Sequence, residues 1–296
     1  MDETILITGA TGFIGSHLAR MLVAQGRDVT ALCRTSSDTS RIADLLSQVR
    51  LVKFEQSTLA ASLSALRLMG VVHLATDYGR QSCDVTEVFK TNFMLPTELL
   101  RLSINAGARF FINTDSFFCK PQFNYQHLQA YTYSKTCFLG WAHKNSDRIH
   151  VASLQLEHVY GPGDGANKFV PQLLTQMLDP DGQEIQLTDG RQKRDFVFVD
   201  DVVDAYCKVI EQGEKSAPGF SAYEVGTGRS VALRTFIESL QTATASKAVL
   251  NFGALPQRDG EIMDSTADLR NLSALGYQAR FDLDTGIRKL VQAAQA

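Results

Sequence analysis

Three glycines spaced three apart, Gly9, Gly12 and Gly15, close an apolar run that starts at Thr4 and open a helix-like pattern from Ser16 to Gln25. In order these segments read as strand, tight turn and helix. Glycine at such a turn lets a dinucleotide pyrophosphate approach the backbone where a Cβ would block it. The helix start then offers unpaired N–H groups and a positive dipole end to the phosphates. The spacing is G-x-x-G-x-x-G rather than the dinucleotide fingerprint G-x-G-x-x-G, so the strand–turn–helix setting carries the reading. Gly9, Thr11, Gly12, Phe13 and Ile14 are the residues expected against the cofactor.

The rest of the chain supports an α/β protein. Val29–Arg34, Leu51–Phe54, Gly70–Thr76 and Arg109–Ser116 read as further strands separated by helical segments, one of which carries Asn92. Strands alternating with helices imply a doubly wound, Rossmann-type parallel sheet. From about residue 160 the pattern changes, beginning with Gly161-Pro162-Gly163. We read residues 1–160 as an NADP-binding Rossmann domain. Residues 161–296 read as a smaller C-terminal substrate lobe, interleaved with the last strands of the sheet.

With 296 residues the chain can bury a large core, and 29 Lys+Arg against 32 Asp+Glu leave a net charge of −3. That balance argues against nucleic acid held by overall charge. Five cysteines, Cys33, Cys83, Cys119, Cys137 and Cys207, lie in no C-x-x-C pair. Reduced thiols, with no disulfide framework and no metal site, are expected. A strand pattern that begins at Thr4 leaves no room for a signal peptide, and no apolar run approaches the roughly 18 residues of a membrane helix. A cytoplasmic protein without a membrane partner is expected.

The end of the second strand bears on the cofactor. A carboxylate there would bond the ribose 2′-hydroxyl of NAD, whereas an arginine favours the 2′-phosphate of NADP. Here Cys33-Arg34 is followed by Thr35, Ser36 and Ser37, so NADP(H) is expected, with Arg34 at the phosphate. The fourth strand ends in Leu74, Ala75 and Thr76, small enough to leave ligand space in the crevice. His73, inside that run, reads as a satisfied core histidine. The reactive candidates are Tyr131 and Lys135. Four residues apart on a helix, they share one face, and an ammonium beside a phenol pulls the tyrosine pKa down from about 10. Tyr133 faces elsewhere.

The chain resembles the extended short-chain dehydrogenase/reductases of the nucleotide-sugar epimerase/dehydratase family. Thr8–Gly15, Val72–Ala75, Tyr131-x-x-x-Lys135, His158–Asp164, Arg194–Val202, Tyr223–Gly228, Ala267-Asp268 and Leu275–Tyr277 carry the resemblance nearly end to end. The resemblance implies that a strand-five hydroxyl joins Tyr131 and Lys135. Thr114 is the first choice for it, with Ser116 as a substrate contact. It places Lys168, Phe169, Arg194 and Arg258 on the sugar nucleotide. His158, where the family commonly has asparagine, would touch cofactor and substrate. It also implies a homodimer formed through the helix carrying Tyr131 and its neighbour.

Members of the family differ in the groups around the shared set. The 4,6-dehydratases carry Thr-Asp-Glu, where this chain has Thr114-Asp115-Ser116 and so lacks the glutamate. Ring epimerisation at C3 or C5 uses a cysteine near that tip, for which Ser116 is a poor substitute, and Cys119 lies three residues on. A 4-ketoreductase needs a hydride donor, the tyrosine, the lysine and the hydroxyl. The wording around Asn113–Ser116 and Asn167–Pro171 is most similar to reductases that make CDP-linked 3,6-dideoxyhexoses, such as abequose or paratose synthases, which serve O-antigen biosynthesis. NADPH-dependent reduction of a nucleotide-linked 4-keto-6-deoxysugar is therefore expected. An NAD-dependent 4-epimerase, a reductase of non-sugar carbonyls and an NADP-sensing regulator stand beside it as alternatives.

Overall fold

The computed structural model describes residues 3–79, 84–123 and 125–295; Cys83 lies outside the described residues. Seven strands form one parallel sheet. They are β1 (Thr4–Thr8), β2 (Val29–Arg34), β3 (Arg50–Phe54), β4 (Leu68–His73), β5 (Phe110–Ser116), β6 (His150–Leu156) and, after four short strands, β11 (Gly219–Val225). The short strands are β7 (His158–Tyr160), β8 (Glu184–Leu187), β9 (Lys193–Arg194) and β10 (Phe196–Phe198). The spatial order is β11-β6-β5-β4-β1-β2-β3. Chain order reverses between β1 and β4, so a crevice opens there at the carboxyl ends of the strands.

The strands are legible in sequence because helices cover both faces of the sheet and leave near-continuous apolar runs. Ile5, Leu6 and Ile7 on β1 and Phe110, Phe111 and Ile112 on β5 are all buried. One helix layer contains α1 (Phe13–Ala24); the other contains, after α2 (Leu59–Leu63) and α3 (Val85–Phe89), α4 (Leu95–Asn105) and α5 (Gln129–Lys144). On α5, Tyr131, Ser134, Lys135, Phe138 and Ala142 are buried, a single helical stripe. Tyr133 projects outward and is 66% exposed.

Beyond residue 160 the chain returns to the sheet. After α6 (Phe169–Met177), helix α7 (Val199–Gly213) packs with α1 against the sheet, and β11 pairs in parallel with β6. The remaining C-terminal elements make a smaller lobe with its own core. Val170 and Leu173 of α6, Phe196 and Phe198 of β10, Phe236 and Ile237 of α8 (Leu233–Thr244), and Leu290 of α10 (Leu283–Gln295) belong to one buried cluster. Two buried carboxylates fasten loops to this frame. Asp195 accepts bonds from the N–H groups of Thr227, Gly228 and Ala267, and Asp201 from those of Arg280 and Phe281. No described helix is long and apolar enough to cross a membrane.

Candidate active site

A cleft of about 570 Å³ runs along the carboxyl ends of the strands. Its floor is the glycine turn. Gly9 has φ +69°, and a Cβ there would stand 2.7 Å from the Ala75 nitrogen. A Cβ on Gly15 would meet the Gly9 carbonyl at 2.1 Å, so the helix start can lie against the turn only if residue 15 is glycine. No side chain caps α1, and its first turn holds no acidic residue. The open N–H groups and the dipole suit a diphosphate, so this floor fits a dinucleotide.

Gly9, Thr11, Gly12, Phe13 and Ile14 line the cleft, with Leu74, Ala75 and Thr76 opposite. At the end of β2, Arg34 lines it together with Ser37 and Arg41, two residues that sequence reasoning did not select. The Arg34 guanidinium makes no hydrogen bond or ion pair among the described residues. His73 is buried and bonds Thr8 Oγ1 through Nδ1 at 2.8 Å, a core histidine as its setting suggested. Burial, with the Lys135 charge adding to it, holds its pKa down to about 3.

Thr114, Ser116, Tyr131 and Lys135 meet at the tip of β5. Lys135 Nζ donates to the Thr114 carbonyl at 2.8 Å and stands 5.5 Å from the centre of the Tyr131 ring. The Thr114 hydroxyl pairs with the phenol of Tyr206, on α7, at 2.6 Å. Ser116 is buried, and its Oγ accepts from the Phe118 N–H at 3.3 Å. Asp115, between the two hydroxyls, is buried beside Lys135; burial pushes its carboxyl up and the ammonium pulls it back. Burial likewise pulls Lys135 down, opposed by Asp115.

One expectation needs correcting. The phenol of Tyr131 was expected to be acidified by Lys135, yet in this structure it is held well above its ordinary value. Burial is the largest cause, Tyr78 adds to it, and a hydrogen bond with Ser116 works in the opposite direction. Desolvation disfavours phenolate more than the ammonium, bonded elsewhere, can recover.

Tyr78 is a site residue that sequence reasoning missed. Its ring stacks on Tyr131 with centroids 4.7 Å apart and planes 15° apart, and Lys168 Nζ sits 3.6 Å above its other face. The run after β4 contains one tyrosine and no periodic signal, so nothing in sequence pointed to it. Phe117, Phe118 and Glu157 also line the cleft, with the expected Lys168, Phe169 and His158. Arg194 and Arg258 are not brought to the cleft wall. Arg194 is buried, ion-paired with Glu261, and donates to the carbonyls of Lys193 and Ile262. Arg258 is exposed on the loop before Glu261. Cys119 is not on the cleft lining but lies directly behind it; its thiol is 3.8 Å from the Thr132 carbonyl and beside the Asp115 carboxyl, and burial drives its pKa far up.

The profile of the family described as "NAD dependent epimerase/dehydratase family" matches residues 5–226. The chain is 39% identical over 298 residues to the CDP-abequose synthase of Salmonella typhimurium, covering 99% of this chain and 98% of that protein. It is 30% identical to a dTDP-4-dehydro-6-deoxy-D-allose reductase of Streptomyces bikiniensis, over 72% of this chain and 74% of that one. Among solved structures, a UDP-glucose 4-epimerase of Thermotoga maritima with UDP-glucose superposes with a TM-score of 0.86 at 23% identity, covering 99% and 98% of the two chains. MoeE5 in complex with UDP-glucuronic acid and NAD gives 0.83 at 26% identity, covering 99% of each chain.

Proposed function

The chain belongs to the NAD-dependent epimerase/dehydratase family, and from that premise we propose that it is an NADPH-dependent 4-ketoreductase. Its substrate is a nucleotide-diphosphate 4-keto-6-deoxysugar, most closely a CDP-linked 3,6-dideoxy sugar. One observation carries the reading: Tyr131, Lys135 and the two strand-tip residues Thr114 and Ser116 share the cleft lining, and Cys119 is not part of it. That set suffices for carbonyl reduction. Ring epimerisation in the family uses a cysteine near that strand tip, where this chain has Ser116 and where Cys119 is not on the cleft lining. The relatives named for CDP-abequose and for reduction of a 4-dehydro-6-deoxy sugar support the substrate class.

The glycine floor, Leu74, Ala75 and Thr76 would hold the dinucleotide. Arg34, Ser37 and Arg41, with no carboxylate at the end of β2, would take a 2′-phosphate. The cofactor, when bound, supplies the hydride for the sugar C4. Tyr131 donates the phenolic proton to the C4 oxygen, so the carbonyl becomes an alcohol. Its raised pKa keeps that proton in place until the oxygen becomes basic. Lys135 holds the Thr114 main chain and stabilises the phenolate left behind. Thr114 orients the keto oxygen, and Ser116 braces the phenol and touches the sugar. Residues 1–160 carry the dinucleotide and residues 161–296 the sugar nucleotide, with His158, Lys168 and Phe169 on the cleft. Arg194 would reach a diphosphate only by leaving Glu261, and Arg258 only by a shift of its loop. The outward side chains Tyr133 and Trp141 of α5, with Met94 in the turn just before α4, suit a homodimer through this face.

The test is NADPH oxidation with a panel of CDP-4-keto-6-deoxysugars, with and without the 3-hydroxyl, and NADH alongside. Fast oxidation of NADPH with one member is the expected result. Interconversion of intact nucleotide-sugar 4-epimers, with no oxidation on any ketone, would replace the reductase by a 4-epimerase.

A further inference from the structure

The reaction as proposed gives the buried phenol of Tyr206 no role. Tyr206 lies in the middle of α7 and is fully buried, in the apolar cluster that also holds Ile112, Ala152 and Val203. Among the described residues its phenol makes one hydrogen bond, to Thr114 Oγ1 at 2.6 Å. A tyrosine could fill this place in the core as phenylalanine, so the hydroxyl calls for an explanation.

The direction of that bond follows from burial. If Thr114 donated, the phenolic proton of Tyr206 would be buried without an acceptor, a cost of about 1–3 kcal/mol. Thr114 is half-buried and borders the cleft, so its own proton has somewhere to go. Tyr206 therefore donates and Thr114 accepts. Burial also raises the Tyr206 pKa, which keeps the phenol a donor. Accepting this bond turns the Thr114 O–H away from the core and strengthens it as a donor. The β-branched side chain has few rotamers in which to move. The carbonyl of the same residue is held by Lys135 Nζ at 2.8 Å, so Thr114 is fixed at main chain and side chain from opposite layers of the sheet.

We infer that Tyr206 is a positioning residue of the active site, which acts through Thr114 by making its hydroxyl a donor to the reacting C4 oxygen. The inference rests on the ketone reduction proposed above. It predicts that a change in the α7 core reaches the chemical step through one hydroxyl and leaves substrate binding alone.

A double-mutant cycle tests it with Tyr206→Phe, Thr114→Val and the pair, reading kcat and KM for NADPH-dependent reduction. Tyr206→Phe is expected to lower kcat about tenfold, below the loss typical of a direct oxyanion donor, with KM within about twofold. Deuterated NADPH should then show a larger isotope effect. Thr114→Val is expected to lose at least as much, and adding Tyr206→Phe to it should cost nothing more. Thr114→Ser, which keeps the hydroxyl, should stay active and remain sensitive to Tyr206→Phe. Additive losses in the cycle, an unchanged kcat in Tyr206→Phe, or a loss confined to KM would overturn the inference. So would a collapse of kcat in Ser116→Ala with none in Thr114→Val, which moves the orienting hydroxyl to Ser116 and leaves the ketone reduction standing. If Tyr206→Phe does not fold, Tyr206→Met takes its place in the cycle. If the wild-type chain proves to be a 4-epimerase, the reduction falls, and the same cycle is read on epimerisation, which works on the same C4 oxygen.

Discussion

Lys135 lies four residues from Tyr131, and spacing alone suggests an ammonium that acidifies a phenol. In the folded chain that ammonium is spent on the Thr114 carbonyl, and burial holds the phenol protonated. For a proton donor this is the useful state. Tyr131→Phe should therefore lower kcat by roughly 10²- to 10⁴-fold with unchanged circular dichroism. The wild-type kcat should stay level through neutral pH and fall only above about pH 10, the ordinary tyrosine value, as measured by stopped-flow NADPH oxidation. His73 illustrates the same physics in stability. Its folded pKa, about 3, lies below its unfolded value of 6.5. Between these values the unfolded chain binds the extra proton, so this group costs stability as pH falls through that window, by up to about 1.4 kcal/mol per unit. Urea unfolding of wild type and His73→Gln at a series of pH values checks this, and the wild type should show the steeper acid limb. Spacing could identify the Tyr–Lys pair and the apolar setting of His73. It could not identify Tyr78, whose contact with Tyr131 depends on how a loop folds back.

At the scale of elements, the helical segment that carries Asn92 is not uniform: a π-helical turn at Lys90–Met94 joins α3 to α4. The wide turn places Asn92 inward. Its side chain accepts from the Asp77 N–H at 2.8 Å and donates to the Asp77 carbonyl at 2.8 Å and to Ser134 Oγ at 3.2 Å. One side chain thus ties the cleft loop after β4 to α5, which carries Tyr131. Wide turns of this kind recur at functional sites. Asn92→Ala leaves these partners unsatisfied, and dinucleotide affinity should drop about tenfold, as read by quenching of protein fluorescence. Five of the seven strands of the sheet were legible, most plainly where a strand is a buried apolar run such as β1 or β5, and β2 matches its expected span, Val29–Arg34; β6 and β11 were not read as strands. The two-residue strands β9 (Lys193–Arg194) and β12 (Val231–Ala232) were not. Pairing across the chain, rather than local composition, makes them strands.

Across the whole molecule, Lys120 joins parts that are distant in sequence. It is buried, with Nζ 2.6 Å from Glu157 and 2.7 Å from Glu224, and it donates to the Thr266 carbonyl at 2.8 Å. Glu157 also accepts from Ser265 Oγ. The strand tips of β5 and β6, strand β11 and the C-terminal stretch therefore share one ion cluster. Lys120→Met alone leaves a buried carboxylate unpaired and should cost about 3–5 kcal/mol in urea unfolding. Adding Glu157→Gln should recover much of that loss. From sequence, Lys120 and Glu157 are unrelated charges. The sequence by itself determined the first five strands of the sheet, the glycine floor and the Tyr131–Lys135 face, because each follows from local geometry: apolar periodicity, backbone freedom and helical spacing. Tertiary structure alone decided that Tyr78 covers Tyr131, that Tyr206 faces Thr114, that Arg194 is bound to Glu261 and that Cys119 lies behind the cleft lining. These depend on which distant surfaces are buried together, and burial sets both where a polar group finds its partner and which protonation state it keeps.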